Sequence, residues 1–209
     1  MSARVATRLR GRLGGTDGNE QLTSLTAAVL IVLLLAEGVT ILRLGDLRAG
    51  HMFIGLVLIG PVLLKLGSTG YRFVRYYGGA RPYREKGPPA LPLRVLAPAL
   101  VFLTVVVFAS GVGLLAAGHR SDTLMTFHKV GFIGWSACFA VHVLAHLPRM
   151  LRSVAEGWTA ARADRTPGSG LRGALLAASV GGGFVLAFAL LSRIEAWHGH
   201  DGGHDFRPE

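Results

Sequence analysis

Residues 51–70 read HMFIGLVLIGPVLLKLGSTG, and residues 127–147 read FHKVGFIGWSACFAVHVLAHL. Each stretch is long and apolar enough to cross a bilayer as a helix, which takes about 20 predominantly apolar residues. Three more stretches have the same character, at residues 23–42, 93–117 and 171–191. The sequence therefore predicts an all-α integral membrane bundle with five transmembrane helices, which we number as spans 1 to 5 in chain order.

The overall composition supports a membrane protein and narrows its chemistry. Hydrophobic residues make up 51% of the 209-residue chain and charged residues only 16%, far from the proportions of soluble domains. The formal net charge of +10 is also typical of nucleic-acid binders, but the basic residues lie between the apolar stretches and form no soluble basic face. The single cysteine, Cys138, excludes a CxxCH haem attachment, a cysteine-ligated iron–sulfur cluster and an internal disulfide. Any redox cofactor should therefore be held by histidine or similar ligands.

The distribution of Lys and Arg predicts the orientation, because basic segments remain on the cytoplasmic side. Fifteen basic residues lie in the N-terminal arm and in the segments after spans 2 and 4, against six on the opposite side. We therefore expect a multi-pass protein of the cell (inner) membrane with a cytoplasmic N-terminus and an extracytoplasmic C-terminus. Residues 1–22 would form a cytoplasmic basic arm, residues 23–192 the membrane bundle, residues 78–92 a cytoplasmic loop, and residues 193–209 an extracytoplasmic tail rich in His and Asp.

Spans 2 and 4 each carry two ionisable side chains at the same spacing. His51 and Lys65 are 14 residues apart on span 2, and His128 and His142 are 14 residues apart on span 4. In a helix this step returns to within about 40° of the same face and advances about 21 Å. Because spans 2 and 4 run in the same direction, His51 should lie level with His128, and Lys65 level with His142. Ionisable groups inside a membrane are costly, which makes all four candidates for function.

Two imidazoles at one depth on facing helices are suitable axial ligands for a low-spin b-type haem. A single histidine at a helix end is more often an interfacial polar residue than a ligand. The pairing of His51 with His128 by depth, direction and spacing is what favours a haem between spans 2 and 4. A flat macrocycle also needs small residues beside its ligands, and the two spans contain Gly55, Gly60, Gly131 and Gly134.

This arrangement resembles the di-haem cytochrome b group, which includes the short b-type cytochromes that anchor bacterial dehydrogenases and molybdenum oxidoreductases in the membrane. The resemblance covers spans 2 to 4. It implies that His51 and His128 are axial ligands of an outer haem and that His142 is a ligand of an inner haem. The family would have a histidine where this sequence has Lys65, so we expect one haem b and leave a second one open.

Three interpretations of Lys65 remain open. Its side chain could extend to the cytoplasmic headgroups, its ammonium could pair with a haem propionate, or its deprotonated amine could ligate iron. His146 lies one turn after His142 on the same helix face, so the two cannot bind one iron from opposite sides. His146 could replace His142 as a ligand or be an interfacial histidine beside Pro148.

Two other polar features have alternative interpretations. Glu37 in span 1 is either a proton-handling group near a quinol site or a carboxylate that pairs with Arg43 or reaches water. The C-terminal tail is either a flexible, solubilising segment or a weak site for copper, zinc or nickel. The histidines that would bind metal in the tail are His198, His200 and His204.

A haem with two protein ligands has no open position for oxygen, so these predictions point to one-electron transfer. We expect a b-type cytochrome that passes electrons between the quinone pool and a partner oxidoreductase, with any further catalysis left to the partner chain. The expected partners are the lipid bilayer, quinone and a redox protein; homo-oligomerisation is left open and nucleic acid is excluded. The alternatives are a metal or small-solute transporter that uses the same histidines, and a metal reductase at the outer face with the tail as collector.

Overall fold

The computed structural model describes residues 15–87, 91–163 and 168–201. Within these ranges the chain is helical and contains no strand, which confirms the predicted all-α class. The described helices are α1 (Gly15–Leu42), α2 (Leu44–Tyr77), α3 (Arg81–Glu85), α4 (Leu91–Ala117), α5 (Asp122–Ala163), α6 (Ser169–Ala189) and α7 (Leu191–Asp201).

Five of these helices, α1, α2, α4, α5 and α6, are long and apolar enough to cross a membrane. They correspond in order to the five predicted spans, although the fifth ends at Ala189, two residues earlier than expected. Their outward faces carry large apolar side chains, and Val32, Leu63, Val130 and Ile133 are each more than 60% exposed. An apolar surface of this extent is stable against lipid rather than water, so the chain is a multi-pass membrane protein.

The membrane helices pack as antiparallel neighbours, with α2 between α1 and α6, and α5 along α4. A single residue, Arg43, joins α1 to α2, and α2 has a kink at Leu47 (φ −110°, ψ 22°) before it becomes regular. This corner brings the last turns of α1 beside His51. We call this end of the bundle, which also contains the connection between α4 and α5, the His51 end. The opposite end is the Lys65 end.

Helices α2 and α6 approach each other closely at two glycines. A Cβ atom on Gly60 would overlap the backbone carbonyl of Ser179, and one on Gly183 would overlap that of Val57. Pro61 has no N–H to donate to the Val57 carbonyl four residues before it, so this oxygen lacks its usual helical partner. Gly183 lies against that oxygen, and the crossing fixes the position of the helix that carries His51 and Lys65.

Several predicted boundaries need correction. Helix α1 begins at Gly15, inside the segment predicted as a basic arm, and residues 1–14 lie outside the described ranges. The predicted loop at residues 78–92 contains the short helix α3 and the start of α4. Helix α5 continues to Ala163, well past the predicted end of span 4. Helical hydrogen bonding therefore extends beyond the apolar cores from which the spans were recognised.

The interpretation of the tail at residues 193–209 as a flexible segment is wrong for its first residues, which belong to helix α7. Ile194 and Trp197, three residues apart on one face of α7, are 1% and 7% exposed and join a buried cluster that includes Leu56 and Leu115. Nη1 of Arg193 donates to a carbonyl at the end of α4, that of Ala116, over 3.3 Å. Helix α7 thus caps the His51 end of the bundle.

At the Lys65 end, one lysine forms ion pairs that join the segment after α3 to α1. Nζ of Lys86 lies 2.8 Å from both Oδ1 of Asp17 and Oε2 of Glu20. Burial alone would lower the pKa of Lys86, but the hydrogen bonds and charges of the two carboxylates outweigh burial and raise this pKa. Ion pairs this exposed contribute little stability, so their role is to position the segment.

Candidate functional site

The structure brings two of the predicted site residues together at the His51 end. The ring centroids of His51 on α2 and His128 on α5 are 6.1 Å apart, and the ring planes are nearly perpendicular, at 80°. Helices α2 and α5 are not a closely packed pair in the described part of the chain, and the two imidazoles meet between them. This is the level pairing that the common 14-residue spacing predicts.

Helix α4 holds the His128 ring from one side. Nδ1 of His128 lies 3.0 Å from the carbonyl oxygen of Val107 and 3.2 Å from Oγ of Ser110. A carbonyl oxygen only accepts, so Nδ1 carries the proton, and in the neutral imidazole Nε2 keeps its lone pair. The Ser110 hydroxyl donates to the carbonyl of Val106 over 2.6 Å and is left to accept from His128.

Helix α1 supports the His51 ring through a buried carboxylate. Oε1 of Glu37 lies 2.9 Å from Nδ1 of His51, although the N–H does not point straight along this contact. Glu37 is only 8% exposed, and the Thr40 hydroxyl, which donates to the Glu37 carbonyl, is 3.1 Å from Oε2. The expectation that Glu37 pairs with Arg43 or reaches water is therefore wrong. The carboxylate instead occupies the Nδ1 side of His51 and leaves Nε2 on the other side.

The distance between the two rings is compatible with a metal ion shared by both histidines. A metal–imidazole bond is about 2 Å long and the ring centre lies about 1 Å further on, so two ligands on opposite sides of an iron have ring centres about 6 Å apart. The observed 6.1 Å agrees with this value. Metal-bound histidines typically have their second ring nitrogen on a carboxylate or a carbonyl. Here Nδ1 of His128 is bonded to a carbonyl, and Nδ1 of His51 lies next to a carboxylate.

The glycines predicted to make room for a macrocycle have other neighbours. A Cβ on Gly131 would come within 2.9 Å of Val106, and one on Gly134 within 3.5 Å of Leu103, so both positions serve the packing of α5 on α4. Gly60 belongs to the crossing of α2 with α6. Of the four, Gly55 alone lies at the site, where its Cβ would be 3.6 Å from Oε1 of Glu37.

The residues predicted to form an inner pair are arranged differently. Nζ of Lys65 donates to the carbonyl oxygen of Thr23 on α1 over 2.9 Å, and Oγ1 of Thr23 donates to Oγ of Ser68 over 3.1 Å. Lys65 is thus turned toward α1, an arrangement that none of its three interpretations included. His142 lies beside His146, with ring centroids 4.6 Å apart, as expected for residues one turn apart on a helix.

The tail histidines add no described metal site. His198 and His200 fall on the backbone of α7, and His204 lies outside the described ranges. Among the residues whose side chains the structure describes, no group of three or more His, Cys, Asp or Glu side chains could hold a metal ion. The metal site in the tail therefore stays a prediction from the sequence.

Three residues of α4 at the site were not anticipated: Val107, Ser110 and Gly111. The Val107 contact uses a backbone carbonyl, which has no signature in a sequence. Ser110 and Gly111 could have been noticed in the sequence, because a polar residue followed by a glycine interrupts the long apolar run of span 3.

Comparisons of the chain with protein-family models, with curated proteins and with solved structures find no match.

Substituting Gly111 tests how closely α4 holds the His128 ring. A Cβ at Gly111 would lie 3.0 Å from Cε1 and 3.3 Å from Nδ1 of His128, and this ring cannot move away without lengthening its bond to Val107. If His128 is a haem ligand, Gly111→Ala should weaken haem binding about tenfold, the lower range for loss of a ligand's supporting partner. Haem titration of the purified protein measures this.

Gly113→Ala is the matched control on the same helix. Its Cβ would meet only the flexible end of Leu124, at 3.4 Å, so haem binding should be unchanged. Equal binding by the Gly111→Ala variant and the native chain would contradict the role assigned to the α4 backbone.

Proposed function

We propose that this protein is a b-type membrane cytochrome in which His51 and His128 hold one haem by their Nε2 atoms. The observation that carries the proposal is the pairing of the two imidazoles, with ring centroids 6.1 Å apart and each Nδ1 beside an acceptor on a different helix. Val107 keeps the proton of His128 on Nδ1, and the Glu37 carboxylate favours the same tautomer in His51, so each Nε2 would have a lone pair for a metal. When bound, a haem of this kind supplies reversible one-electron transfer.

The chain's own residues would act by orienting the two rings. Val107 and Ser110 would fix the rotation and the tautomer of His128, and the charge of Glu37 would favour the same tautomer in His51. With a protein ligand on each face, the site would leave no position for oxygen, which favours electron transfer over oxygenation. Two imidazoles held in advance by α1 and α4 also reduce the rearrangement that accompanies each electron.

The charge distribution supports an orientation for this site. Basic residues are concentrated at the Lys65 end and beyond it, so this end would be cytoplasmic, and the His51 end would face outward. A haem at the His51 end would then exchange electrons with a partner protein outside the inner membrane, or with quinone in the outer half of the bilayer. Because Lys65 is bonded to α1 and His142 lies beside His146, we propose one haem rather than two.

The test is the haem content of the full chain purified in detergent. We expect a pyridine haemochrome assay to give one protohaem per chain, with an absorption spectrum typical of two nitrogen ligands, and we expect a quinol to reduce it. Colourless protein from cells supplied with haem precursor would contradict the proposal and favour the transporter alternative. Two haems per chain would contradict the single site and require His142 or His146 to complete a second one.

A further inference from the structure

The two proposed ligands have unlike supports. His128 has neutral acceptors, a backbone carbonyl and a hydroxyl, whereas His51 has the carboxylate of Glu37 at 2.9 Å. Glu37 is 8% exposed, with Oε1 next to Nδ1 of His51 and Oε2 3.1 Å from the Thr40 hydroxyl. A carboxylate buried this deeply in a membrane helix is costly unless it is paired, so its position beside one ligand calls for a function.

From this asymmetry we infer that Glu37 is a positioning residue that lowers the reduction potential of the haem through His51, an inference that rests on the proposed function. A carboxylate next to Nδ1 favours the proton at that nitrogen and increases the basicity of the ring, so Nε2 would donate more strongly to the metal. The negative charge also lies in surroundings of low polarity, where its field is weakly screened. Both effects favour the oxidised iron, which carries one more positive charge than the reduced iron.

The neighbourhood of Glu37 gives the carboxylate a fixed position. Gly55 on α2 has no side chain, and a Cβ there would lie 3.6 Å from Oε1, so the carboxylate can rest against the α2 backbone. Thr40, one turn later on α1, is 5% exposed and borders Oε2. His128 on α5 is also close to this group, since its ring lies 6.1 Å from that of His51.

A redox titration of the haem-loaded chain tests the inference with Glu37→Gln. This variant keeps the shape of the side chain and removes its charge. At a fixed applied potential we expect the ratio of reduced to oxidised haem to rise at least about tenfold, which is about 59 mV for a one-electron couple. Asp122→Asn is the matched control, because it removes a carboxylate at the same end whose side chain is 92% exposed. Its midpoint should be that of the native chain.

The outcomes separate this inference from the proposed function. Absence of haem from the native chain overturns the proposed function. Haem present in native and Glu37→Gln chains with the same midpoint overturns only the role of Glu37. If Glu37→Gln does not retain haem, Glu37→Asp tests the role of the charge instead, since this variant keeps the charge on a shorter side chain. Retention of haem with a near-native midpoint by Glu37→Asp supports the inference, and loss of haem from this variant as well contradicts it.

Discussion

His51→Ala and His128→Ala are each expected to remove the haem absorption of the purified protein. Each substitution deletes one of two ligands on opposite sides of the proposed iron, and a haem held by one imidazole binds far more weakly. Neither neighbour can substitute, because Glu37 lies on the Nδ1 side of His51 and Ser110 on the Nδ1 side of His128. The haem content per chain, measured after purification, should fall by at least about tenfold in both variants.

His119→Ala provides the control for this pair. His119 lies in the connection between α4 and α5 at the same end of the bundle, where it is exposed and its Nδ1 is 3.2 Å from the carbonyl oxygen of Arg120. Its removal should leave the haem content unchanged. An unaltered spectrum in both His51→Ala and His128→Ala would refute the assignment of the ligands.

The two ligand variants should also differ in stability without haem. His51→Ala leaves the buried carboxylate of Glu37 beside an empty position, whereas His128→Ala leaves only a carbonyl and a hydroxyl. A charge that loses its partner costs more than a neutral group, so the His51→Ala chain should unfold at a lower temperature. Adding Glu37→Gln to His51→Ala should recover this difference.

Gly183→Ala is expected to cause one of the largest losses of stability that a single added methyl group can produce in the membrane helices. The new Cβ would overlap the backbone carbonyl of Val57, and a backbone group cannot rotate aside as a side chain can. The two helices would have to separate, at a cost of about 3 kcal/mol or more, above the typical range for overpacking. Gly60→Ala should act in the same way through Ser179.

Adjacent glycines of α6 are suitable controls. A Cβ on Gly181 or Gly182 would meet nothing within 4 Å, and alanine is favoured over glycine in a helix by up to about 1 kcal/mol. We therefore expect Gly181→Ala and Gly182→Ala to retain or raise the unfolding temperature in detergent, while Gly183→Ala lowers it. Equal unfolding temperatures for all three variants would contradict the close crossing of α2 and α6.

Much of the arrangement at the His51 end could be predicted from the sequence. The helical repeat puts residues 14 apart on nearly the same helix face. Because successive spans alternate in direction, spans 2 and 4 run the same way, and His51 is expected at the depth of His128. Glu37 stands out in the sequence as an intramembrane carboxylate, but its partner does not, because the contact depends on the tight corner at Arg43. Val107 has no sequence signal for a different reason, since any residue could have supplied its carbonyl oxygen.

The Lys65 end shows where the same reasoning was insufficient. The spacing puts Lys65 level with His142, but side-chain direction depends on which helices are neighbours, and α1 offers Lys65 the Thr23 carbonyl. The glycines of spans 2 and 4 were predicted to make room for a macrocycle, but most of them lie against neighbouring helices. Gly60 meets α6 and Gly131 meets α4, so most of this free space is used for helix packing.

The sequence by itself determined the class of the protein. Its long apolar runs require helices that cross a membrane, because a single apolar segment satisfies its own backbone hydrogen bonds inside lipid only as a helix. It also determined the depth of each ionisable residue, since depth follows from the rise per residue. The tertiary structure decided which side chains share a site. Contacts such as Glu37 with His51 and Val107 with His128 join different helices, and helix neighbours are selected by packing over the whole bundle rather than by local sequence.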